Sequence, residues 1–182
     1  MEPPASFVLA PAPGFAPTVG RLVAMLTYTR WTTLRAVEGL TVAQLDHLHD
    51  ERSNSIGALL AHIAAVEVSH QRLTFDGRSA APDHAKELQI AEALGDEARR
   101  ALRGRALTHY TELLRAVRDF TVTELAARTD AWLEEPAPFA LIGGRPANNH
   151  FKWFHVAEDE LNHRGQIRWL RQRLPAPPLA ER

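Results

Sequence analysis

The sequence predicts an all-α fold, specifically an antiparallel four-helix bundle with long crossover loops. Two observations carry this prediction. Four segments place apolar residues at three- and four-residue spacings, which is typical of amphipathic helices, whereas strand signals are weak throughout the chain. In addition, prolines and glycines concentrate at the two ends and between those segments, where a chain must turn.

The first two helices are predicted at residues 18–40 and 55–75. Pro17 precedes the first helix, a place where proline is tolerated, and the polar run RSNS offers N-caps for the second. Gly77 follows the second helix and is expected to end it. The apolar stripe of the first helix comprises Val19, Leu22, Val23, Leu26, Leu34 and Val37, and that of the second comprises Ile56, Leu59, Leu60, Ile63 and Val66.

The second half of the chain is predicted to hold the other two long helices, at residues 105–120 and 147–174. Residues 78–104 are polar and rich in alanine, so they are expected to form a loop with a short helix near 87–102. Thr121 or Thr123 is expected to cap a separate, shorter helix after the third long one. The segment EEPAPFALIGGRPANNH, with three prolines and two adjacent glycines, predicts a loop or a short hairpin before the last helix.

Length and composition limit the classes of function. A chain of 182 residues suits one domain, predicted at 18–174, with a disordered or extended segment at 1–17 and a tail at 175–182. The formal net charge is −1 and there is no basic block, so nucleic-acid binding is not expected. The sequence has no cysteine, which excludes disulfides and thiolate metal sites. Without a signal peptide or a long apolar run, the protein is expected to be cytoplasmic and not bound to a membrane.

The last helix carries the most informative polar pair. Asp159 and His163 are four residues apart, so they lie one helical turn apart on the same face, and that face also carries Val156, Ile167 and Leu170. A carboxylate and an imidazole in this arrangement can both bind zinc, nickel, iron or manganese. An unpaired carboxylate buried there would be costly, so a positive group is expected to face it. A buried ion pair, between the two residues or with an arginine, is the alternative.

The second helix offers further polar candidates. His62 lies at the edge of the apolar stripe, where it can serve as a third ligand or as an ordinary structural histidine. Glu67 lies nearer the middle of the stripe; it can orient a ligand or carry a proton, or form a buried salt bridge with Arg164 or Arg168. His155, one turn before Asp159, is a candidate fourth ligand.

Two segments together resemble the DinB/YfiT-like family of four-helix bundles. They are SIGALLAHIAAVE in the second helix and HVAEDELNHRGQIRWLRQRL in the last, and the NHRGQI of residues 162–167 is the strongest local motif. The resemblance covers about residues 18–174. In that family, one histidine of the second helix and two residues one turn apart on the last helix bind a divalent metal, which implies His62, Asp159 and His163 here. The first residue of that pair is usually histidine, or glutamate in the mycothiol-dependent isomerase branch, so Asp159 departs from the pattern.

The resemblance implies thiol-linked transferase, isomerase or hydrolase chemistry, with a divalent metal, a low-molecular-weight thiol, a small-molecule substrate and a homodimer. A non-catalytic stress-associated binding or scaffold protein is the alternative. There the metal would only tie two helices together, or a buried His–Asp pair would replace it. If a metal is bound, Glu67 and Glu158 are candidates for orienting its ligands.

Overall fold

The computed structural model describes residues 7–139 and 143–175, with the backbone only for 137–139. The mostly helical fold predicted from the sequence is confirmed. Within the described residues the long helices are α1 (Pro17–Val37), α3 (Ile56–Thr74), α6 (Leu107–Ala126) and α8 (Asn149–Arg171). The shorter ones are α2 (Val42–Leu45), α4 (Ala85–Ala93), α5 (Gly95–Ala101) and α7 (Asp130–Leu133), with a 3₁₀ turn at Pro82–His84. Of the predicted terminal segments, 1–17 and 175–182, residues 1–6 and 176–182 lie outside the described residues.

The four long helices pack through their apolar stripes. α1 packs on α8 and α6, and α3 packs on α4, α6 and α8. One group of buried residues joins the centre of α3 to α6, through side chains such as Leu60, Ile63 and Leu114. A second group joins the first half of α1 to Phe75 and Trp153. α3 and α8 are in direct contact, and these are the two helices that carry the candidate ligands.

The predicted break after Phe120 is wrong, because α6 runs without interruption from Leu107 to Ala126. The Thr123 hydroxyl donates to the carbonyl of Asp119, one turn back in the same helix, and the Thr121 hydroxyl donates to Glu67 on α3 while lying 3.2 Å from the carbonyl of Val117. Hydroxyls engaged in this way do not cap a new helix. Thr121 is also fully buried, so its polar group is satisfied by tertiary contacts within an ordinary helix.

The connectors hold more helix than the sequence predicts. The single helix expected at 87–102 is two helices, α4 and α5, because Leu94 (φ 53°) and Gly95 (φ 73°) are in positive-φ conformations. Between α1 and α3, Thr41 and Gln44 form a capping box that starts α2. Thr129 likewise caps α7. These one-turn helices are too short to produce a periodic apolar pattern.

The proline- and glycine-rich segment forms a hairpin. Strand β1 (Pro136–Phe139) pairs antiparallel with β2 (Arg145–Asn148), with Pro136 opposite Asn148. The last helix therefore begins at Asn149 rather than at residue 147, and the side chain of Asn148 caps it by accepting from the backbone N–H of Phe151. Across residues 7–139 and 143–175, no helix is long and apolar enough to cross a bilayer.

Candidate metal centre

His62 lies on α3, where that helix meets both α4 and α8. Ser55 caps α3 by accepting from the N–H of Ala58, which fixes the start of the helix two turns before His62. Nδ1 of His62 is 2.9 Å from the carbonyl oxygen of Ala91 in the last turn of α4. A carbonyl only accepts hydrogen bonds, so Nδ1 carries the proton and Nε2 is free to bind a cation.

The end of α4 changes the bonding of the Ala91 carbonyl, which accepts from the N–H of Leu94 at 3.2 Å and also faces His62. In a continuing helix the N–H of Gly95 would donate to this carbonyl. The helix stops at Ala93 because Leu94 turns the backbone, and the N–H of Gly95 donates instead to Oδ1 of Asn54, at 3.3 Å. A break in a connector therefore orients a histidine on a neighbouring long helix.

Asp159 and His163 face His62 from α8. Oδ1 of Asp159 is 3.4 Å from Nε2 of His163 and 3.8 Å from Nε2 of His62, and the two imidazole centroids are 4.6 Å apart. Nδ1 of His163 is 3.2 Å from Oε1 of Gln166, so the second imidazole is also held through Nδ1. Both histidines thus present Nε2 to one carboxylate.

The cluster is mostly buried, with 12% of each imidazole and 17% of the Asp159 side chain exposed. Burial raises the pKa of Asp159, but His163 and His62 outweigh it and hold this pKa well below its ordinary value. Burial lowers the pKa of His62, but the Asp159 carboxylate and the Ala91 carbonyl outweigh it and raise this pKa. The carboxylate is therefore ionised, and its negative charge faces Nε2 of both imidazoles.

The donor set fits a divalent transition metal. One donor atom from each of His62, Asp159 and His163 lies within 4.8 Å of the other two. Oδ2 of Asp159 is buried, and no hydrogen-bond partner for it lies within the described ranges. A buried carboxylate oxygen without a partner is costly, and a cation would satisfy it. Two imidazoles and a carboxylate, each imidazole oriented through its other nitrogen, are typical of zinc sites with an open position.

Glu67 lies elsewhere. It follows His62 by five residues, which turns it by about 140° around α3, towards α1 and α6. Its oxygens lie 2.8 Å from Arg30 and 2.7 Å from Arg118, and Thr121 donates to it at 2.6 Å. Glu67 therefore forms a buried salt bridge, as one of the two interpretations predicts, but its partners are Arg30 and Arg118 instead of Arg164 or Arg168. None of the contacts of Glu67 in the described structure reaches His62.

Glu160 completes this second group, so that each of the four long helices contributes one charged residue. Arg30 is 2.8 Å from Glu160, and Arg118 is 3.0 Å from it. The guanidiniums also donate to backbone carbonyls, Arg30 to Leu114 and Arg118 to Leu26. We call Arg30, Glu67, Arg118 and Glu160 the buried quartet; each residue is at most 6% exposed. Of these four residues, only Glu67 is predicted from the sequence to form a buried salt bridge. The available signal was a charged residue within the apolar stripe of each long helix.

The remaining candidates lie at the edge of the cluster. Nδ1 of His155 is 3.2 Å from Glu158, whose side chain is 48% exposed. The His155 ring lies 5.7 Å from that of His70, which is buried and contacts the carbonyl of Val66 through Nδ1. His155 is not part of the group of donors within 4.8 Å. The structure therefore places Glu158 and His155 in a pair with each other, and His70 beside them.

The fold and the cluster define a mostly helical protein with a His–Asp–His group between two of its long helices. The family model for mycothiol-S-transferase matches residues 21–176. The chain therefore belongs to this DinB/YfiT-like family. A solved structure described as a conserved protein of locus from Enterococcus faecalis is similar, with a TM-score of 0.66 and 14% identity. The match covers 83% of this chain and 93% of that one, and it supports the fold alone. Comparison with curated proteins gives no match.

Proposed function

We propose that this protein is a metal-dependent transferase that uses a low-molecular-weight thiol. In this proposal His62, Asp159 and His163 bind one zinc, nickel, iron or manganese ion inside an antiparallel four-helix bundle. The observation that carries the proposal is the Oδ2 atom of Asp159, which is buried without a partner in the described structure while two oriented imidazoles present Nε2 beside its carboxylate. The mycothiol-related family supports the thiol.

The ion would supply Lewis-acid activation, lowering the pKa of a thiol so that its thiolate form persists at neutral pH. The residues of the chain prepare the site for this chemistry. Ala91 and Gln166 hold the two imidazoles by their Nδ1 atoms, so each Nε2 keeps its lone pair towards the cluster. The Asp159 carboxylate supplies the negative charge that selects a cation over neutral ligands.

An open cavity of about 470 Å³, lined by sequence neighbours of the cluster but by none of its three ligands, suits a small-molecule substrate. Gln166, which contacts His163, lines it together with Leu59, one turn before His62 on α3. Arg52, Asn54 and Trp169 supply a cation, an amide and an aromatic surface at the rim. A few polar groups on a largely apolar wall are typical of ligand sites.

Activity tests the proposal directly. Protein purified without an affinity tag and loaded with zinc is assayed for thiol-dependent turnover of an electrophile. Asp159→Asn should remove turnover while circular dichroism shows the same helix content. Glu158→Gln, an exposed carboxylate one position earlier, is the matched control and should keep it. Equal turnover in Asp159→Asn and wild-type protein would refute the proposed role of the site.

A structural metal is the second candidate, because the three ligands come from α3 and α8 and an ion would tie these helices together. Chelation separates the two functions. If chelation lowers the free energy of unfolding and metal-loaded protein shows no thiol-dependent turnover, the ion serves the fold. A metal-free His–Asp ion pair predicts that neither stability nor activity responds to chelator or added metal.

We also propose the domain organisation, the location and the assembly of the protein. Residues 18–174 form one domain, and the protein works in the cytoplasm, a reducing compartment that suits a thiol. The protein is a homodimer, as the family resemblance implies. The exposed rings of Phe151 and Phe154 on α8 are compatible with a partner surface. Light scattering at several protein concentrations tests the dimer, which requires twice the mass of the chain.

A further inference from the structure

A second group of side chains that can bind a metal lies between the start of α4 and the start of α6. His84 closes the 3₁₀ turn before α4, Glu87 lies in the first turn of α4, and His109 lies in the first turn of α6. One donor atom from each lies within 4.8 Å of the other two. We propose that His84, Glu87 and His109 form a second site for a divalent transition-metal ion.

The distances within this group suit shared coordination. Oε2 of Glu87 is 3.4 Å from Nδ1 of His84, and Oε1 is 2.8 Å from Nε2 of His109. Donors that share a tetrahedral zinc ion lie about 3.3 Å apart, because zinc binds nitrogen and oxygen at about 2.0–2.2 Å. The two distances run from different oxygens of Glu87, so the carboxylate faces both imidazoles at once. The first distance already fits, and the second needs to widen by about half an ångström for one ion to be shared. The imidazole centroids are 5.7 Å apart at 64°, so the rings do not stack against each other.

The kind of ion follows from the donors and their exposure. Two imidazoles and one carboxylate favour zinc, nickel or copper over magnesium or calcium, which prefer oxygen ligands. The His84 side chain is 39% exposed, which leaves a path for an ion to enter, whereas Glu87 is only 14% exposed. Arg105 also acts electrostatically on Glu87, so a cation at this site competes with a neighbouring arginine.

This site connects to the first through α4. Glu87 and Ala91 are four residues apart, so they lie one turn apart on the same helix. Ala91 is the residue whose carbonyl orients His62. An ion bound by His84, Glu87 and His109 would hold the 3₁₀ turn and α4 against α6, and thereby fix the carbonyl that positions His62. The second ion would thus act as a clamp on the connector, independent of any thiol chemistry.

Zinc stoichiometry, measured by equilibrium dialysis of untagged protein, tests the proposal. Wild-type protein should bind two equivalents, while His109→Gln and His163→Ala should each bind one and the double variant none. His47→Gln, a histidine outside both groups, is the matched control and should bind two. Circular dichroism checks that each variant is folded, and Glu87→Gln replaces His109→Gln if the latter is not.

The outcomes separate the two sites. If His109→Gln and Glu87→Gln bind as much zinc as wild-type protein while His163→Ala binds less, the second site is refuted and the first survives. If His109→Gln binds less and His163→Ala does not, the second site is supported and the first fails. In His163→Ala protein, added zinc should also slow amide exchange in residues 82–93, and His109→Gln should abolish this effect. Unchanged exchange in those residues would overturn the clamp.

Discussion

The His–Asp–His cluster and the buried quartet both connect α3 to α8. Two consecutive residues of α8, Asp159 and Glu160, belong to one cluster each. Asp159 faces His62 and His163, whereas Glu160, turned by about 100° around the helix, faces Arg30 and Arg118. In the buried quartet every carboxylate oxygen has a partner at hydrogen-bond distance. In the His–Asp–His cluster one buried oxygen has none within the described structure.

This difference separates a self-contained ionic network from a cluster that can accept a cation. Two arginines and two glutamates balance each other in charge, and their remaining donors reach backbone carbonyls, so the quartet is complete without any other molecule. The three-residue cluster has one carboxylate, two oriented imidazoles and a buried oxygen without a partner in the described structure, and this is the basis of the proposed cation site. Burial alone does not mark a candidate site, because the quartet is the more deeply buried of the two.

The largest expected effect is on the quartet. Glu160→Gln leaves two buried guanidiniums with one carboxylate, and this should lower the free energy of unfolding by about 3–5 kcal/mol. Urea denaturation followed by circular dichroism measures the loss. Glu158→Gln, two positions earlier and exposed, should change it by less than about 0.5 kcal/mol. Similar losses in the two variants would mean that the quartet contributes nothing specific.

The second largest expected effect is a loss of stability in acid, through the carboxylates of the quartet. Burial raises the pKa of Glu67, but Arg118 and Arg30 outweigh it and lower this pKa from 4.5 to about 2. A carboxyl group with a lower pKa in the folded state stabilises the fold above its unfolded pKa. That contribution, about 3 kcal/mol in full, is lost as the pH falls from 4.5 to 2. Urea denaturation with chelator present should show a shallower decline over this range in Glu67→Gln. An unchanged pH dependence would contradict the assignment.

The sequence foresees the parts of this account that depend on local spacing. The long helices follow from their periodic apolar residues, and Ser55 caps α3 as the RSNS run indicates. Asp159 and His163 lie together because four residues make about one helical turn. The choice of His62 as their partner required the family resemblance, since spacing cannot show which helices face each other.

The quartet and the orientation of the imidazoles depend on tertiary contacts that local patterns do not encode. Arg30 and Glu160 are 130 positions apart, and each appears in the sequence as an isolated charge in an apolar stripe. His62 is oriented by the backbone of Ala91, and a backbone carbonyl leaves no residue-specific signal. The continuity of α6 through Thr121 likewise depends on Glu67 and Gln71, which satisfy the hydroxyl from another helix.

The third largest expected effect is the loss of stability when zinc is removed from the His–Asp–His cluster. With free zinc at about 100 times the dissociation constant, stripping the ion should lower the free energy of unfolding by about 2.7 kcal/mol. Thermal unfolding with and without chelator measures this loss. In the His109→Gln background, which lacks the proposed second site, Asp159→Asn should abolish the response to chelator, whereas Glu158→Gln should leave it unchanged. A full response in the protein that carries both Asp159→Asn and His109→Gln would place the metal elsewhere.

The smallest expected effect concerns the residue that orients His163. Gln166→Leu removes the partner of Nδ1, so zinc affinity should fall 10- to 100-fold while unfolding of the metal-free protein is unchanged. Competition with a chromophoric chelator measures the affinity. Gln172→Leu, at the exposed end of α8, serves as the matched control and should leave it unaltered. Equal losses in both variants would show that Gln166 does not position the imidazole.

Anomalous X-ray diffraction from crystals of the zinc-loaded protein tests the central claim most directly. We expect a peak about 2.0–2.2 Å from Nε2 of His62, Nε2 of His163 and a carboxylate oxygen of Asp159, and no peak within the buried quartet. Crystals of Asp159→Asn should lose that peak and keep the quartet unchanged. Zinc-loaded wild-type crystals without density among these three side chains, with Asp159 in direct contact with the imidazoles, would contradict the metal centre.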